Sequence, residues 1–176
     1  MCIRTRPGTG PLTAGGDNTT TTFSGVVRSG TFTKSGTGTL TLSGSADNFN
    51  LTATVSAGTL VLGKASSASV HAVGLGLTID GGTAQLGGTG DDQIYTGTSV
   101  TLNSGTFDMN GRNEGFTNLT GSGTVTNTAG STTSTLTLGE NDGTATFDGV
   151  IQNGAGTLAL VKTGIKTPTL TGNNTY

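Results

Sequence analysis

Aromatic side chains make up 5% of the 176 residues, tryptophan is missing altogether, and only 10% of the chain is charged. Proline occurs 3 times, and cysteine and histidine once each. Each scarcity excludes something. Eight Lys and Arg against ten Asp and Glu leave a net charge of −2, with no basic surface to hold a phosphate backbone, so nucleic acid is not an expected partner. No apolar run approaches the roughly 20 residues of a membrane-spanning helix, and direct membrane insertion is not expected either. The opening MCIRTRPGTG lacks the hydrophobic stretch of a secretory signal. The lone Cys2 cannot close an internal disulfide. His71, between Val70 and Ala72, has no cysteine or acidic residue at ligand spacing and reads as an exposed strand or loop residue.

What fills the chain instead is 32 Gly and 39 Thr. Glycine opposes helix, and threonine suits a pleated, half-buried surface, so composition points to an all-β protein. Residues 31–44, TFTKSGTGTLTLSG, show the pattern most clearly: a Gly-rich turn, then Thr39, Leu40, Thr41 and Leu42 with leucines on one face and threonines on the other. A period of two is the signature of a strand. The regular placement of apolar residues argues against disorder, which has no reason to keep such a register.

A Gly-Thr pair followed by an alternating strand returns at Gly38-Thr39, Gly58-Thr59, Gly82-Thr83, Gly105-Thr106, Gly123-Thr124, Gly143-Thr144 and Gly156-Thr157. Another alternating segment precedes most of these pairs, as in Leu51, Ala53 and Val55 before Leu60 and Leu62, or Leu75, Leu77 and Ile79 before Ala84 and Leu86. A strand–turn–strand unit of about 20 residues cannot bury its apolar face alone, whereas stacked copies share a continuous core. An antiparallel meander, with Asp80-Gly81 as a type I′ turn, is the competing geometry. The repeat length favours a coil, and the expected fold is a single right-handed parallel β-helix, or β-solenoid, of roughly seven to eight coils over residues 23–176. Residues 1–22 carry Pro7, Pro11 and several glycines without alternation, and are expected to form a flexible, disordered N-terminal arm.

Three segments carry a family likeness. FSGVVRSGTFTKSGTGTLTLSG (23–44), FDGVIQNGAGTLALVKTG (147–164) and LTGNNTY (170–176) resemble the autotransporter-associated β-strand repeat. The match is densest over Thr33-Lys34-Ser35-Gly36-Thr37-Gly38-Thr39-Leu40-Thr41-Leu42-Ser43-Gly44. The second copy departs from the pattern after Gly164, and a distortion is expected near Pro168. The resemblance implies a passenger-type β-helix, extracellular or on the bacterial cell surface and associated with the outer membrane. It implies no reaction. The expected partners are further coils of the same polypeptide, with glycans or other cell-surface components against the side of the rod. On this reading the chain is a fragment of a longer protein.

Few residues invite chemistry. Gly87-Gly88-Thr89-Gly90-Asp91-Asp92-Gln93-Ile94-Tyr95 fits a calcium-binding nonapeptide turn, making Asp91 and Asp92 candidate Ca²⁺ ligands, although a single copy supplies only part of a shell of roughly 6 to 8 oxygens. No other cofactor is expected. The remaining acids stand singly beside turn residues, the serines at 66, 67 and 69 have no accompanying base, and Arg112-Asn113-Glu114 reads as a charged loop. Ranks of Thr-x-Thr, as at Thr37/Thr39/Thr41 and Thr52/Thr54, suggest rows of hydroxyls and methyls able to order water or dock glycans; filling the solvent face of strands is the simpler role. The expected function is therefore a non-enzymatic structural or adhesive segment. The alternative is part of a carbohydrate-active β-helix whose catalytic residues lie elsewhere.

Overall fold

The computed structural model describes residues 10–28 and 30–176, and in them the alternating segments lie side by side as parallel strands. The first coil runs through β1 (Leu12–Ala14) and β2 (Thr21–Phe23), the second through β3 (Gly30–Lys34) and β4 (Thr39–Leu42), and the third through β5 (Leu51–Val55) and β6 (Thr59–Leu62). In the next two coils a single bent strand spans both sides, β7 (Gly76–Leu86) and then β8 (Ser99–Asp108). The later coils gain a third strand side. β9 (Glu114–Phe116) leads into β10 (Asn118–Gly121) and β11 (Thr124–Thr126), and β12 (Thr133–Leu138) leads into β13 (Thr146–Phe147) and β14 (Val150–Ile151). β15 (Thr157–Lys162) then precedes β16 (Thr169–Leu170). The result is a β-solenoid of about seven turns.

Register makes the core. Leu40, Leu60, Ala84, Phe107, Val125 and Ile151 stand above one another in one inward column. Leu12, Phe32, Ala53, Leu77, Val100 and Leu119 form a second. Large residues stack on small ones, Phe107 on Ala84 and Phe32 on Ala53, which lets neighbouring coils keep a constant spacing while filling the interior. Each fully buried aliphatic contributes about 1.5–3 kcal/mol, so the columns supply the stability that no single coil could.

One core column contains a charge. Lys34 stands between Ala14 and Val55 and is fully buried. Its stem packs with the aliphatics while Nζ donates to the carbonyls of Ser35 (2.6 Å), Gly36 (2.8 Å) and Ala57 (3.2 Å) at the corner. Burial holds this amine below the usual lysine value of 10.5. Corners require close backbone approach: a Cβ on Gly82 would lie 2.6 Å from the carbonyl oxygen of Gly58 in the coil beneath.

Several expectations need correction. The body does not begin at residue 23, because β1 and β2 pair with β3 and β4 as a complete first coil; residues 12–14 and 21–22 belong to the solenoid rather than to an arm. Each strand offers too few inward apolar positions to show a period alone. Residues 1–9 lie outside the described part. Asp80 and Gly81 make no hairpin; they form the corner inside β7, where the ladder shifts register. Leu75 does not face inward: it is 56% exposed, immediately before the strand starts at Gly76. The Gly-Thr rule holds for Thr39, Thr59, Thr83, Thr106 and Thr124, which stack in register, and then fails. Thr124 pairs with Val150, while Thr157 pairs with Thr133 on the third side, because β12 and β15 lengthen the later coils.

Candidate functional site

The side of the solenoid that lacks a third strand in the early coils is closed by the segments 43–50, 63–75 and 87–98. Backbone groups there cannot all join a ladder, and buried side chains take their place. Asn48 accepts from Val27 N–H (2.9 Å) and donates to the Ala72 carbonyl (3.2 Å). Gln93 accepts from Lys64 N–H (3.0 Å) and donates to the carbonyls of Lys64 (2.8 Å) and Gly87 (3.1 Å). Lys64 Nζ donates to the carbonyls of Gly25 and Ser43 at 3.1 and 3.0 Å.

Arg112, Asn113 and Glu114, expected to be a charged loop without partners, instead grip segment 87–95 from the next coil. Arg112 Nη2 donates to the Gly88 carbonyl. Asn113 donates to Asp91 through its backbone N–H (3.3 Å) and Nδ2 (3.0 Å). The Glu114 Oε2 accepts the N–H groups of Gln93 (2.9 Å) and Ile94 (3.1 Å). Glu114 is buried, and that burial pushes its carboxyl well above the usual 4.5 despite the N–H donors that favour its charged form.

This clamp fixes the nonapeptide-like turn. Asp91 and Asp92, proposed from the sequence as Ca²⁺ ligands, engage different neighbours. Asp91 meets N–H donors where a Ca²⁺ shell needs oxygens, and Asp92 turns toward His71, with its Oδ1 3.7 Å from Nε2. Among the described residues no three His, Cys, Asp or Glu side chains converge in an arrangement that could hold a metal ion.

His71 is the larger surprise. The ring is 3% exposed, not a surface residue, and sits between two carboxylates from adjacent coils. Asp47 Oδ1 accepts the His71 backbone N–H (2.8 Å) and lies 3.3 Å from Nδ1. Burial raises the Asp92 carboxyl while the neighbouring His71 opposes the rise. Tyr95 packs edge-on against His71, centroids 5.4 Å apart, and against Phe49 at 5.3 Å. Phe49 is 45% and Tyr95 36% exposed, so the rings roof the histidine and face outward. A Cβ on Gly97 would lie 2.6 Å from Tyr95 Cε1, so the glycine gives the ring its place. Phe23 over Gly25 repeats this arrangement of an aromatic lying over the glycine two residues on. Three coils thus bring Asp47, Phe49, His71, Asp92 and Tyr95 into one corner. Sequence separations of 21–24 residues between partners follow the coil length, which is the only signal that links them.

The threonine ranks are real columns. Thr13, Thr33, Thr54, Thr78, Thr101 and Thr120 align on one outer face, and Thr120 Oγ1 donates to Thr101 Oγ1 at 3.3 Å. They cover the outside of the sheet with methyls and hydroxyls.

No family model, no curated protein and no solved structure matches the chain.

Proposed function

We propose that the chain is a non-enzymatic structural and adhesive β-helix segment of a bacterial surface or secreted, autotransporter-like protein. The observation that carries this reading is the unbroken parallel ladder, in which columns of inward aliphatics and outward threonines run from coil to coil. Stacked backbone hydrogen bonds give length and stiffness, and the segment holds whatever lies beyond it away from the surface. The likeness of residues 23–44, 147–164 and 170–176 to the autotransporter-associated repeat supports the location. Further coils of the same polypeptide extend the ladder at its ends, and glycans meet its sides.

A second reading, part of a carbohydrate-active β-helix, draws on His71 held between Asp47 and Asp92. Incubating the purified chain with plant, bacterial and host polysaccharides and measuring new reducing ends separates the two. The structural reading expects none above a heat-denatured control. Reducing ends that rise in proportion to folded chain would replace it with the enzymatic one.

A further inference from the structure

We propose that the corner formed by Asp47, Phe49, His71, Asp92 and Tyr95 is a binding site for a neutral glycan. This rests on the adhesive part of the reading above and gives it a place and a ligand class. Most apolar side chains on the strands are sent inward, yet here two aromatic rings from coils two turns apart are brought into contact and left half-open. The two rings stand at 72° to one another, so the corner offers an electron-rich ring face beside the edge of its neighbour.

Its rim is polar. Asp47 Oδ2, Asp92 Oδ2 and Tyr95 Oη have no hydrogen-bond partner among the described residues, while Asp47 Oδ1 and the His71 ring are occupied with each other. The site therefore offers two carboxylate acceptors and a phenol beside the rings. An apolar face edged by hydroxyl donors is the chemistry of a sugar ring, with its C–H side against the aromatics and its hydroxyls at the carboxylates. Charge selects within that class. Charge arises at the rim from Asp47 and Asp92, while Lys64, in the same segment as His71, is turned inward onto the Gly25 and Ser43 carbonyls and offers its amine to no acidic sugar there.

The site is built before any ligand arrives. Glu114 holds the backbone beneath Tyr95, Asn113 holds Asp91, and Gly97 seats the Tyr95 ring. Little conformational freedom is left to lose on binding. Three coils at about 4.8 Å spacing give the corner a length of roughly 10 Å, room for a short oligosaccharide along the solenoid axis.

The test is binding of the intact chain to immobilised neutral oligosaccharides of hexoses and N-acetylhexosamines, beside sialylated, uronic-acid and amino-sugar controls. The expected result is saturable binding to at least one neutral glycan, at least tenfold weaker in Phe49→Ala and in Tyr95→Ala, and weaker again in Asp92→Ala. Thr54→Val, on the outer threonine column, should leave binding unchanged, and thermal melts should show that the Phe49→Ala chain stays folded. No binding of any neutral glycan at millimolar concentration overturns the proposal. So does binding that survives the double Phe49→Ala/Tyr95→Ala change, a preference for acidic or cationic sugars, or an equal loss in Thr54→Val. Release of new reducing ends from a bound glycan would sink the non-enzymatic reading and leave the site standing. Absence of binding would sink the site and leave the structural reading standing.

Discussion

Removing the Glu114 carboxyl should unfasten the whole loop 87–95, and the structure lets the cost be worked out. Glu114 is the only acceptor among the described residues for the N–H groups of Gln93 and Ile94. Each buried donor left without a partner costs about 1–3 kcal/mol, so Glu114→Ala should lose about 2–6 kcal/mol, a large share of the 5–15 kcal/mol typical of a domain. Glu114→Gln keeps one oxygen for both donors and should lose much less. The two variants also differ from wild type in pH dependence. Because burial raises this carboxyl above 4.5, the folded chain keeps a proton that the unfolded chain has released. Stability from this group is thus complete below pH 4.5 and falls as pH rises through the folded value. Asp92, raised above 3.8, adds a fall of the same sign. Urea titrations from pH 4 to 8 should show wild-type stability declining across this range, and Glu114→Gln declining less. A Glu114→Ala chain as stable as wild type, or a Glu114→Gln chain with an undiminished pH slope, would refute the reasoning.

Two further predictions concern the core and the corner. Burial lowers the Lys34 and Lys64 amines below 10.5, so the unfolded chain holds more protons in the window below that value and stability should climb as pH rises through it; thermal melts of Lys34→Met should show a smaller climb. Gly82→Ala places a Cβ 2.6 Å from the Gly58 carbonyl oxygen and should cost about 1–3 kcal/mol, read as a lower urea midpoint at unchanged slope.

Much of this molecule is legible in its sequence because the fold is a repetition. Leu40, Leu60 and Phe107 share a column, and the Gly-Thr pairs from residue 38 to 124 mark successive corners at coil-length intervals. A period of two fixes which face is inward, and stacking fixes the rest. The first coil was hidden because Leu12–Ala14 and Thr21–Phe23 are too short to show a period and are defined only by the strands they pair with. The corner around His71 was hidden for a different reason. Its contacts join side chains to backbone groups across whole coils in segments without strand alternation, so no local pattern announces that Asp47 meets His71 or that Glu114 meets Gln93. Lys34 shows the limit of the binary pattern itself. Its position in the alternation is inward, but charge would have placed it outside had the corner carbonyls not been within reach of its amine.

The central claim is that successive coils stack in parallel, in register, as one stiff body, and a distance measurement tests it most directly. Thr13 and Thr120 occupy the same outer column five coil steps apart. At about 4.8 Å per step their backbones should be about 24 Å apart. With Cys2 replaced by Ser, spin labels on Thr13→Cys and Thr120→Cys should give a single narrow distance distribution centred near that value after allowance for the label arms. A broad distribution, or a separation shortened as a folded-back meander would shorten it, would contradict the account.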